Sequence, residues 1–292
     1  MAVRRRPLCA DLSRENSEPL AATASRIDHW LLVEYPGLWG RQPLAAGILG
    51  EEVKAHLRSE LRRLGPARLL FIKRPERRRQ RDVIRVFYGS TLEQDARFFC
   101  RELASYDDLV DVVLGDTAAE PLDHPLFVVC THGKRDRCCA VYGRPLYEAL
   151  RDQVDDDWVW QSTHVGGDRF AGNIVSFPHG LYFGRVGPAD VSVLLAATVA
   201  GRVPLEHYRG RCCYSFPEQA AERALREELG LDGIDDFTLV HTEPRTDRWL
   251  VSFRTRNGEL HEKTIGAERG EPALLTCDAK APGRPLRFCA VS

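Results

Sequence analysis

The sequence predicts an α/β (α+β) fold: two tandem βαββα units followed by a small C-terminal α/β extension. Three observations carry this prediction. Short apolar runs rich in β-branched and aromatic residues alternate with stretches of helical periodicity. The same order of elements occurs twice, offset by about 96 residues from first strand to first strand. A proline-containing link, Glu120-Pro121-Leu122-Asp123, separates the copies, placing the units at 1–120 and 121–210 and the extension at 211–292.

His29-Trp-Leu-Leu-Val-Glu-Tyr35 reads as a buried strand that stops at Pro36-Gly37. From Gly50 to Leu64 the apolar positions Val53, Leu57, Leu61 and Leu64 recur at helical spacing, and Gly65-Pro66 ends the pattern. Ala67 to Ile72 and Val83 to Tyr88 are β-rich runs on either side of the charge cluster Lys73 to Arg81, which predicts a hairpin with a solvated loop. Leu92 to Leu103 reads as a helix. In the second copy, Leu126 to Val129 is a strand, Leu146 to Gln153 a helix and Trp158 to Gln161 a strand. Ile174 to Phe177 and Leu181 to Phe183 make a hairpin around Pro178-His179-Gly180, and Val191 to Val199 is a helix. A helix at Glu218 to Leu229 and strands near Phe237 to Val240 and Trp249 to Phe253 form the extension.

The 292 residues carry 41 basic and 42 acidic side chains, a net charge of −1 that offers no general attraction to nucleic acid. The longest apolar run, Val191 to Ala200, is about half of the ~20 residues that a membrane span needs. Met1-Ala-Val-Arg-Arg-Arg6 leads into polar sequence rather than a signal core, so the expected location is the cytoplasm. Nine cysteines, an odd number with two adjacent pairs, are expected to be thiols there.

Chemistry concentrates in Cys130-Thr-His132-Gly-Lys-Arg-Asp136-Arg-Cys138-Cys139-Ala-Val-Tyr-Gly143 and Thr163-His164-Val-Gly166-Gly167-Asp168. Cys130 ends a buried strand, and Cys138 and Cys139 lie just before a helix, beyond a charged loop containing Gly133. A helix amino terminus with Lys134, Arg135 and Arg137 nearby favours thiolates, the form that binds metal and attacks electrophiles. His164 follows the next strand and reaches the same sheet edge, while Gly166-Gly167 admits a bulky group close to the backbone. The donors suit a metal ion or iron–sulfur cluster. They equally suit a nucleophilic site with Cys139 or Cys130 as nucleophile and His164 as base. Small buried residues packed in a core are the third reading.

These residues resemble the sucrase/ferredoxin-like family. The likeness runs through Val129-Cys-Thr-His-Gly-Lys-Arg-Asp-Arg-Cys-Cys-Ala140, His164-Val-Gly-Gly-Asp-Arg-Phe-Ala-Gly-Asn173 and Tyr182-Phe-Gly-Arg185. The resemblance implies a thioredoxin-like ferredoxin domain in the second of two tandem thioredoxin-like units, binding a [2Fe-2S] cluster as a one-electron carrier with a redox partner protein; the charge balance and hydropathy above predict no nucleic acid or membrane partner. Cys130 matches the family's first ligand and Cys139-Ala-Val-Tyr-Gly143 the second. The family's His-x-Gly-Gly-His becomes His164-Val-Gly-Gly-Asp168, so the fourth ligand falls to Asp168 or Cys138. His132, Gly166, Gly167, Arg169 and Arg185 are expected around the cluster. His132 is expected to face water or to donate a hydrogen bond to a cluster sulfur, and Arg169 or Arg185 to pair with Asp168, to set the potential or to dock an acidic partner. A thiol-dependent oxidoreductase using Cys138/Cys139 and a zinc-stabilised interaction domain built from the same donors are the alternatives. Cys9, Cys100, Cys212, Cys213, Cys277 and Cys289 match no interpretable spacing and are expected to be ordinary residues. Asp155-Asp156-Asp157 reads as a polar turn rather than a carboxylate pair for sugar hydrolysis.

Overall fold

The structure, a computed structural model, describes residues 7–45, 47–75, 83–117, 119, 121–155 and 157–291. A short helix, α1 (Cys9–Glu15), precedes β1 (His29–Glu34), α2 (Glu51–Arg63), β2 (Ala67–Lys73), β3 (Ile84–Ser90) and β4 (Arg97–Leu103). Then follow β5 (Leu126–Cys130), α3 (Arg137–Arg151), β6 (Val159–Ser162), β7 (Ile174–Phe177), β8 (Leu181–Phe183), α4 (Val191–Val199) and β9 (Tyr208–Arg211). α5 (Phe216–Leu229) leads into β10 (Phe237–Pro244), β11 (Arg248–Thr255), β12 (Leu260–Arg269) and β13 (Leu286–Ala290).

The class is mixed α and β, as expected. Nine strands form one sheet in the order β4-β3-β1-β2-β6-β5-β7-β8-β9, and β10 to β13 form a four-stranded antiparallel meander. The two halves repeat one strand pattern. β1 is parallel to β2 and antiparallel to β3, which pairs with β4; β5 is parallel to β6 and antiparallel to β7, which pairs with β8. The copies meet through their equivalent strands, β2 and β6, over the antiparallel pairs Ile72–Ser162 and Lys73–Gln161.

Three expectations change. β2 and β3 form no hairpin, because β1 lies between them and each takes one of its edges. The loop expected at Lys73 to Arg81 lies largely outside the described residues; within them Lys73 ends β2 and Arg74 is buried 3.8 Å from Asp157. The helix expected at Leu92 to Leu103 is instead strand β4, and among the described residues a short 3-10 helix, Tyr106–Asp111, rather than an α-helix closes the first copy. Phe98 packs against Phe177 and Phe99 against Tyr88 while Arg97, Arg101 and Glu102 stay exposed, and Leu92, Ala96, Phe99 and Leu103 fall at helical spacing, so the sequence lacks the alternation that marks a half-buried strand. α3, finally, begins nine residues before the expected Leu146. Gly143 and Pro145 make its first turns read as loop, yet the helix runs through Pro145, which leaves the Val141 carbonyl without its helical donor.

The sheet curls on itself. Phe98 of β4 and Phe177 of β7 stand six places apart in the sheet, but their rings lie 4.4 Å apart. Trp30, Phe87, Trp160 and Tyr182 fill the same interior, with Cys130 and Cys139 at one end. Outside, α2 lays Val53 and Leu57 on the first half, and α3 and α4 lay Leu146, Leu150, Val191 and Leu194 on the second. Each of these side chains removed from water contributes about 1.5–3 kcal/mol before its ordering cost.

Candidate metal centre

β5 carries Cys130 to its carboxyl end, where the side chain is 1% exposed. The chain then turns through Thr131 to Asp136, whose carboxylate caps α3 by accepting the Cys138 backbone N–H at 2.9 Å. The cap fixes Cys138 and Cys139 as the second and third residues of the helix. Successive helical residues point about 100° apart, so the two thiols diverge. Cys139 faces Cys130; Cys138 faces α1. Gly143 brings the helix this near: a Cβ there would stand 2.0 Å from the Cys130 carbonyl oxygen.

His164 arrives from the end of β6. Thr163 anchors that segment to the first half of the sheet, its N–H donating to the Phe71 carbonyl at 2.8 Å and its Oγ1 accepting from the Phe71 N–H at 3.1 Å. The His164 N–H donates to His132 Nδ1 at 3.3 Å. His132 therefore does not face water; its ring is buried edge-on to Trp39, and it positions the His164 backbone. Gly166 and Gly167 take φ of +107° and +79°, and a Cβ on Gly167 would stand 2.3 Å from the Arg209 guanidinium. The bulky group beside these glycines is thus Arg209, which donates to the Gly166 carbonyl at 3.0 Å and to Asn173 Oδ1 at 2.8 Å. Asn173 donates to the Gly167 carbonyl at 2.9 Å. This turn delivers Asp168, whose Oδ1 lies 3.0 Å from His164 Nδ1 and 3.4 Å from Cys139 Sγ.

Donor atoms of Cys130, Cys139 and His164 all lie within 4.8 Å of one another. Cys130 is held well below the usual thiol range because Cys139 donates to it and His164 lies beside it, which together outweigh burial. Cys139, keeping the shared proton, is pushed up by Cys130 and by burial. Burial alone would keep His164 neutral, but Asp168 and the Cys130 thiolate raise it to about 9. Burial likewise opposes charge on Asp168, and His164 overcomes it to hold the carboxyl low. These are buried, charge-separated donors whose protons a bound cation would displace.

A profile of the sucrase/ferredoxin-like family matches residues 20–210. The chain belongs to this family. Similar proteins named "Altered inheritance of mitochondria protein 32" occur in Meyerozyma guilliermondii (38% identity over 96 residues, 29% of this chain and 34% of the relative) and Debaryomyces hansenii (31% over 105 residues, 32% and 38%). The Saccharomyces cerevisiae protein of that name is 29% identical over 96 residues, 28% of this chain and 31% of the relative. The chain thus matches about a third of the length of these relatives. No solved structure is significantly similar.

Among the expected site residues of this sucrase/ferredoxin-like chain, the structure brings Cys130, Cys139, His164 and Asp168 together. It does not bring Cys138 to them: that thiol lies 3.5 Å from Cys9 and 3.3 Å from Cys277. Arg169 and Arg185 do not pair with Asp168 either. Arg169 donates to Glu18 at 2.7 Å, while Arg185 donates to Ser13 Oγ at 2.9 Å and to the Glu18 carbonyl at 2.7 Å, so both hold the segment around α1. Cys100 lies on β4 rather than a helix, and Cys212 and Cys213 are buried as packing residues, Cys212 beside Thr91 at 3.2 Å. Arg209, Asn173 and Asp136 went unread in the sequence, because each acts through a contact set by tertiary structure. Among the described residues no helix is long and apolar enough to cross a membrane.

Proposed function

We propose that this chain is a one-electron carrier holding a [2Fe-2S] cluster on Cys130, Cys139 and His164, with Asp168 as fourth ligand. The observation that carries the proposal is the convergence of two thiols, an imidazole and a carboxylate in a site closed to water except at one edge. Side-chain exposure is 21% for His164 and 5% for Asp168, and both cysteines are buried to 1%. The donor set fits: thiolates with histidine are ligands of two-iron clusters. Such a cluster, when bound, supplies one electron at a time.

The residues define the rest of the role. Cys130 and Cys139 bind from the dry interior, which keeps solvent from the sulfurs. His164 presents the partly exposed edge, so the electron enters and leaves there, and its imidazole can take up a proton at Nδ1 or Nε2 as the charge of the site falls. Lys134, Arg135 and Arg137 are exposed on the adjacent loop and first turn of α3, and favour an acidic redox partner in a soluble compartment such as the cytoplasm. A thiol enzyme is less well supported, since a nucleophile must be reached by its substrate and Cys138 and Cys139 are 0% and 1% exposed.

The test is anaerobic purification of the full chain followed by visible spectroscopy. The expected result is a brown protein with iron and sulfide that bleaches with dithionite. Asp168→Ala is expected to abolish or shift the visible bands, whereas Cys138→Ser leaves them in place. A colourless chain with neither iron nor sulfide overturns the proposal.

A further inference from the structure

Three more thiols meet on the far side of α3. Cys9 opens α1, Cys138 sits in the first turn of α3, and Cys277 lies in the segment between β12 and β13. Their sulfurs form a triangle with sides of 3.5 Å (Cys9–Cys138), 3.3 Å (Cys138–Cys277) and 3.7 Å (Cys277–Cys9). All three are free thiols and at most 5% exposed. The Asp136 carboxylate closes the group, with Oδ1 and Oδ2 at 3.9 and 4.0 Å from Cys9 Sγ.

We propose that Cys9, Cys138, Cys277 and Asp136 form a second metal site, structural in role, that takes a single zinc ion. Zinc–sulfur bonds of about 2.3 Å at tetrahedral angles place two thiolates about 3.8 Å apart, and an oxygen ligand about 3.5 Å from a sulfur. The observed triangle is slightly tighter and the carboxylate slightly farther, so small shifts suffice. Three sulfurs equidistant within a few tenths of an ångström describe one tetrahedral ion better than a disulfide, which would pair two and strand the third.

The surroundings point the same way. Asp136 Oδ1 accepts the Cys138 N–H at 2.9 Å and Oδ2 the Cys277 N–H at 2.7 Å, so the carboxylate is oriented by the backbone of two ligands. Each oxygen keeps a second lone pair for the metal. The Ala10 N–H donates to Cys138 Sγ at 3.4 Å, a contact that supports negative charge on sulfur. Zinc binds thiolates, so loading releases the protons of the thiols to solvent. Cys9 and Cys277 lie outside residues 20–210, so the site is not a property of the segment that defines the family. The ligands are 129, 139 and 268 positions apart in the sequence, and the ion would tie the N-terminal helix and the C-terminal meander to the helix that supports the candidate cluster.

The experiment measures zinc and iron in the full chain purified with zinc in the medium. About one zinc per chain is expected, falling below about one tenth in Cys277→Ala while the far-ultraviolet circular dichroism and any visible bands persist. Cys130→Ser is expected to do the reverse, losing visible bands and keeping zinc, so failure of the cluster proposal leaves this one readable. Where Cys277→Ala does not fold, native alkylation of the wild-type chain replaces it. Cys9, Cys138 and Cys277 are then expected to be protected together and to become reactive together on strong chelation, with the melting midpoint lowered by more than about 5 °C. Zinc below one tenth per chain in the wild type, zinc retained in folded Cys277→Ala, independent labelling of the three thiols, or a disulfide among them overturns the site.

Discussion

Gly143→Ala isolates the packing that creates the candidate cluster site. Alanine is the better helix former by about 1 kcal/mol, so propensity alone predicts a gain at this interior helical position. The structure predicts a loss. The new Cβ would stand 2.0 Å from the Cys130 carbonyl oxygen and 3.0 Å from its carbon, so the helix must withdraw by about 1.4 Å to reach an ordinary contact. Withdrawal loosens Leu146, Tyr147 and Leu150 from Phe127 and Val129 beneath them, and it draws Cys139 away from Cys130. Overpacking of this kind costs about 1–3 kcal/mol, and for a chain of this size each kilocalorie is worth about 2–4 °C. A melting midpoint about 2–12 °C below wild type is therefore expected by differential scanning calorimetry, with diminished visible absorption where the cluster is bound. Gly47→Ala is the control, because no atom lies within 4 Å of its added Cβ. A Gly143→Ala midpoint equal to or above wild type would refute the reasoning.

Arg209 is fully buried and donates to Thr23, Gly166 and Asn173, so Arg209→Met strands several carbonyl acceptors and is expected to cost about 3 kcal/mol or more in urea unfolding. Arg209→Lys is expected not to restore it, since an ammonium lacks the planar fork. Burial and the neighbouring Arg211 depress His179 to about 4, below its ordinary 6.5. The unfolded chain therefore binds a proton that the folded chain refuses, and stability falls as pH drops from about 6.5 through 4, by roughly 1–3 kcal/mol; His179→Gln is expected to flatten that part of the pH profile. If His164 ligates the cluster, the reduction potential is expected to fall with rising pH somewhere between about pH 6 and 9, and a flat potential over that range would remove it as a ligand.

Elements marked by unbroken helical spacing or by turn residues were legible in the sequence. α2 and the β7–β8 hairpin lie where periodicity and turn residues place them. β4 was not, because exposed Arg97, Arg101 and Glu102 interrupt its apolar residues and leave them at helical spacing, and α3 lost its first turns to Gly143 and Pro145. In the site, Cys130, Cys139 and His164 were readable because each sits at the end of a regular element within one βαβ crossover. His132 was misread because its burial depends on Trp39, which comes from the first half of the chain. Cys9 and Cys277 carry no local pattern; their meeting is a product of folding over the whole chain. Asp157, placed in a polar turn, proves to be an ion-pair partner of Arg74 and Arg85 across the halves.

The curled sheet bears on how this protein can be divided. Its inner face belongs to neither half, since Trp30 and Phe98 from one side pack against Phe177 from the other at 5.1 and 4.4 Å. Cutting the chain near residue 120 would strip β6 of its neighbour and open an aromatic interior to water, giving a sticky edge and an apolar face at once. The half that carries Cys130 and Cys139 is therefore no module to be excised or grafted; the other half is the second wall of its room.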